Sequence, residues 1–69
     1  MSMSYVNLII FVGESEVGVA TALRVPAVGE YIEYYGKGLS GMIQLGRVDR
    51  VLHRNSAQNP IITVTPFTH

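Results

Sequence analysis

Four cations and a histidine crowd into one third of the sequence: Lys37, Arg47, Arg50, His53 and Arg54. Arginine forks fit phosphate oxygens, and a lysine adds a compact point charge. If residues 48–54 are extended, Arg50 and Arg54 share a face, because side chains alternate along a strand. Lys37 lies in Gly36-Lys37-Gly38-Leu39-Ser40-Gly41, where successive amides could form an anion nest. That stretch is not a P-loop, which needs Gly-Lys followed by Ser or Thr. Tyr31 and Tyr35 fall on the same side of a short strand, where exposed rings could stack a base or anchor a protein contact. Lys37, Arg47, Arg50, Arg54, Tyr31 and Tyr35 are therefore the candidate ligand or partner site. The plainer alternative is the solvated outer face of a sheet and a hairpin loop, with Asp49 and Glu33 as counter-charges.

Catalysis finds less support. Asp49, His53 and Ser56 lie within eight residues on one strand and its turn, so their side chains do not easily converge. No nucleophile elbow precedes Ser56. Glu14, Glu16, Glu30 and Glu33 have no spacing that suits acid–base work or a metal. There is no cysteine, and His53 and His69 are the only imidazoles. Disulfides and thiolate metal sites are excluded. The expectation is a protein that is not an enzyme, with no metal and no cofactor.

The elements that would position these residues read as strands. Tyr5 to Val12 is β-branched and aromatic, and apolar on both faces. Such a strand must be covered on both sides, by its own chain or by a second copy. Tyr5, Ile9 and Phe11 are the candidate self-association residues. Gly13 to Glu16 is a turn. From Val17 to Val25, branched residues alternate with Gly18, Ala20, Ala22 and Arg24. The small side would admit another backbone or a ligand. Pro26 to Gly29 turns the chain into a third strand, Glu30–Tyr35, with Tyr34 assigned to the core. Met42 to Arg54 fits either a short helix or a long bent strand, and the bent strand needs a bulge near Arg47–Arg50. Asn55 to Pro60 is a polar turn. Ile61 to Phe67 is the last strand, and its proline confines it to an edge or a strand end.

Five short strands with Gly or Pro turns between them predict an all-β domain over residues 1–69, a small five-stranded antiparallel barrel, SH3-like or OB-like. The 69 residues are 48% hydrophobic and 14% charged, with five basic and five acidic side chains. That excludes a disordered charged tail. Zero net charge disfavours long nucleic acid as a partner. No apolar run approaches the ~20 residues of a membrane span, and the first basic residue is Arg24, which does not suit a secretory leader. A cytoplasmic place without membrane attachment is expected. A chain this short buries only about 60% of its unfolded surface. Without disulfides or a metal, its apolar excess points to a homo-oligomer.

Val25-Pro26-x-Val28-Gly29-Glu30-x-Ile32, followed after a glycine-bearing loop by Arg47-Val48-x-Arg50-Val51-x-His53, resembles a pattern in small bacterial and phage β-barrel proteins. The resemblance covers under half of the chain, and the connection from Tyr34 to Gln44 is longer than in that pattern. It implies a turn that aims one strand and a bent strand that returns across the barrel. It also implies a phage or mobile-element accessory protein, such as an inhibitor or assembly factor. The resulting expectation is a non-catalytic protein-interaction module that self-associates. The alternative is a binder of a small phosphorylated ligand or nucleotide.

Overall fold

The structure, a computed structural model, describes residues 4–36, 43–55 and 59–67. Among them are five strands and no helix: β1 (Val6–Val12), β2 (Ser15–Ala22), β3 (Tyr31–Gly36), β4 (Ile43–Leu52) and β5 (Ile61–Pro66). Each strand pairs with the next in sequence, and β1 closes on β5 to complete a barrel. Four seams are antiparallel. The fifth, β1 with β5, is parallel. An odd number of up-and-down strands requires this, since the first and last then run the same way.

The β1–β2 hairpin turns at Gly13-Glu14, with Val12 opposite Ser15. Gly13 has φ +61°, the left-handed backbone that a two-residue hairpin loop requires and glycine supplies without strain. Of the stretch that fits helix or strand, Ile43–Leu52 is strand. β4 is extended throughout, and its register with β5 steps between Val48 and Arg50. Asp49 is the extra residue of a bulge, which keeps Val48 and Val51 on the inner side. Pro66 ends β5 opposite Gly46, a position that asks no N–H of it, since the bond to β4 there is made by the next residue, Phe67 N to Leu45 O.

The core is Leu8, Ile10, Ala20, Tyr34, Val48, Ile62 and Val64. Leu8 and Ile10 are the inner face of β1. On β2 the small residues face inward: Gly18 and Ala20 are buried, while Val19 is exposed. A five-stranded barrel has a narrow interior, so small residues on one wall make room for large ones on another. Tyr34 takes that room. Its ring packs over Gly46, where an added Cβ would lie 3.2 Å from Tyr34 Cε1.

Candidate interaction surface

The outer positions follow from register. Ile9 lies beside Val19 on β2 and Ile61 on β5. Ile61 is opposite Leu52 on β4. In the other direction Val19 is opposite Tyr35, and Tyr35 opposite Ile43. Leu52, Ile61, Ile9, Val19, Tyr35 and Ile43 thus form one unbroken apolar row across all five strands. The row starts near the end of β4 and returns to the beginning of the same strand, because tilted strands close a barrel with an offset. Val19, Tyr35, Ile43 and Leu52 are 49–55% exposed, and Ile9 and Ile61 are half-buried. None of these six belongs to the core cluster.

A second apolar group sits beside this row. Tyr31 meets Phe67 edge-on, with ring centroids 6.2 Å apart and planes at 79°. Phe67 N donates to Leu45 O at 2.8 Å, which holds the ring against β4. Of the predicted self-association residues, Ile9 and Phe11 face outward from β1 and are half-buried, while Tyr5 lies exposed just before the strand. Tyr31 and Tyr35 are exposed on β3, as their alternation predicts.

Arg47 and Arg50 lie on the outer face of β4, opposite Thr65 and Thr63 of β5. Arg47 is opposite Tyr31 and Thr65, and its Nε donates to Asp49 Oδ1 at 3.4 Å. Asp49 Oδ2 also accepts from Thr65 Oγ1. Arg50 points outward opposite Thr63 and has no ion pair among the described residues. Arg54 lies past the end of β4, and its Nε donates to Asn59 O at 2.8 Å, tying the ends of the β4–β5 connection together. Lys37 and the glycine-rich loop after Gly36 lie outside the described residues, as does Ser56. Among the described residues no three His, Asp or Glu side chains cluster to hold a metal.

The β2–β3 seam differs from the other four. Among the described residues the strands pair at Gly18–Gly36 and Val19–Tyr35 only. Gly18 permits this contact: a Cβ there would stand 2.1 Å from Tyr35 O. Beyond Val19 the strands part. A groove of about 450 Å³ opens between Ala20 and Thr21 on one side and Glu33, Tyr34 and Tyr35 on the other. A second hollow of about 200 Å³ continues it past Ala22, Leu23, Tyr31 and Ile32. At its far end Arg24 grips Glu30: Nη1 to Oε1 at 3.0 Å and Nη2 to Oε2 at 2.6 Å. Ala27 N also donates to Glu30 Oε1 at 2.6 Å. The Arg24 fork and the Ala27 amide hold the Glu30 carboxyl at about 2, well below its ordinary value. Burial pushes the Tyr34 phenol upward.

This ion pair, the Leu52, Ile61, Val19 and Ile43 members of the row, and the Phe67 contact were not among the sequence-based candidates. The inward turn of Gly18 and Ala20 is the signal that would have exposed Val19. Comparison with protein-family models, curated proteins and solved structures returns no match.

Proposed function

We propose that this chain is a non-catalytic protein-interaction module that self-associates through the outer face of β1 and its neighbours. The observation that carries this reading is the unbroken outer row from Leu52 through Ile61, Ile9 and Val19 to Tyr35 and Ile43. The barrel interior is already filled by seven other residues, so the row adds nothing to the chain's own core. Monomeric proteins seldom leave contiguous apolar surface uncovered. A second copy presents the same row, and most homo-oligomers are symmetric and self-complementary. The resemblance to bacterial and phage accessory proteins supports a role as a cytoplasmic inhibitor or assembly factor.

Native mass spectrometry of protein purified directly from cells tests this reading. An oligomer without adduct is expected, and Ile9→Glu and Leu52→Glu should each yield monomer with unchanged far-UV circular dichroism. A monomer in the parent protein overturns self-association. A discrete adduct of a few hundred daltons, lost on Arg50→Ala but retained by Leu52→Glu, would instead favour a small phosphorylated ligand.

A further inference from the structure

We propose that the gap between β2 and β3 receives an extended segment of a partner protein as an added strand. Backbone pairing decides the kind of occupant. At Ala20, Thr21 and Ala22 the ladder of β2 runs to Leu8, Asn7 and Val6 of β1. From Tyr31 to Tyr34 the ladder of β3 runs to β4. No ladder or loop hydrogen bond joins these two stretches across the gap. A strand residue presents its N–H and C=O to one side or the other. Each wall of the gap therefore carries unpaired donors and acceptors at strand spacing. Such an edge is a template for another strand.

The gap has definite ends and dimensions. Gly18–Gly36 closes one end, and the Arg24–Glu30 fork pins the other. About four residues of each wall lie between, a length of roughly 13 Å at 3.3 Å per residue. The floor is apolar, with Ala20 and Tyr34 among the core residues and Ala22 and Ile32 packed against them. The rim carries Thr21 and Glu33. Glu33 has no ion pair among the described residues, whereas Arg24 is already neutralised by Glu30. The guest strand therefore alternates small apolar residues, facing the floor, with polar ones that include a lysine or arginine beside Glu33. This deepens the interaction-module reading by naming the partner's form, and it does not require self-association.

The test is a backbone-amide NMR titration of the full chain with Ac-Val-Lys-Val-Thr-Val-NH2. It is repeated with that peptide N-methylated at Lys and Thr, and with its Lys replaced by Glu. The parent peptide should shift amides of residues 20–23 and 31–34. N-methylation should abolish the shifts. Lys→Glu in the peptide, or Glu33→Gln in the protein, should weaken binding several-fold. Absence of shifts at millimolar peptide overturns the proposal, as does equal binding of the N-methylated peptide. Shifts centred on Ile9 and Leu52 overturn it too, by placing the contact on the outer row. The same titration on Leu52→Glu separates the two proposals: a monomer that still binds peptide retains the gap while losing self-association.

Discussion

Gly18 and Gly46 both lack a side chain for lack of space, but what blocks them differs. A Cβ on Gly18 meets the Tyr35 carbonyl oxygen at 2.1 Å, a backbone atom that moves only with β3. A Cβ on Gly46 meets Val64 Cγ2 at 2.9 Å and Tyr34 Cε1 at 3.2 Å, which are side chains with some freedom to shift. Gly18→Ala should therefore cost about 2–3 kcal/mol, near the top of the overpacking range. Gly46→Ala should cost less, because side chains rather than a paired backbone have to give way to the added methyl. Urea denaturation of both variants checks the order. The exposed Glu30 carboxyl has a folded pKa of about 2 against an ordinary 4.5. A depressed carboxyl pKa contributes stability above its unfolded value, and the contribution is lost as pH falls through the folded one. The stability of the parent should thus fall between pH 4.5 and 2 relative to Glu30→Gln, with no divergence between pH 6 and 8. Paired denaturation curves across that range measure it. The Arg24–Glu30 pair was not legible in the sequence, because it depends on how the Pro26–Gly29 turn brings two strand ends together. Arg47, Arg50 and Arg54 were legible as a cluster along the chain, but the departure of Arg54 from the strand was not. Beyond Leu52 the strand ends, and Arg54 turns back to Asn59.

Adjacent residues of β1 separate the two faces of the barrel. Ile10 is fully buried, whereas Ile9 lies on the outer row. Ile10→Ala should cost about 2–5 kcal/mol, the range for a buried isoleucine truncated to alanine. Ile9→Ala should cost well under half as much, and chemical denaturation at a concentration that keeps both proteins monomeric compares them. Strand positions were legible because Gly and Pro turns divide the sequence between β-branched runs. The assignment of faces was not, for β1 is apolar on both sides and β2 has a branched side and a small side. Hydrophobicity alone favours the branched side as core. The narrow interior reverses that choice, placing Gly18 and Ala20 within and Val19 without. In β4 the alternation fails after Val48, and the Asp49 bulge explains the failure: one extra residue lets Val48 and Val51 face the core together. Ile43 and Leu45, apolar and alternating, face outward while Gln44 and Gly46 face inward.

For the molecule as a whole, the small five-stranded barrel was legible from strand count and spacing, whereas the β2–β3 gap was not. Nothing in Ala20–Leu23 or Tyr31–Tyr34 marks them as unpaired. They part because Gly18 brings the strands together at one end while the Pro26–Gly29 connection and the Arg24–Glu30 fork set their separation at the other. The outer row is likewise a product of register, since its six residues come from all five strands. Barrel closure has a mechanical consequence. Because β1 and β5 lie side by side and run the same way, the chain enters β1 at one pole and leaves β5 at the opposite pole. Tension applied through these two ends slides β1 along β5 and loads the Ile9–Ile61, Ile10–Ile62 and Phe11–Thr63 pairings together rather than one after another. Pulled in this direction, the domain should withstand distinctly more force than when pulled from the Gly13-Glu14 turn and the end of β5, which lie near the same pole. Single-molecule force spectroscopy with handles at those two pairs of points would measure the difference, and a small barrel placed in series between two tethered partners would act as a stiff link.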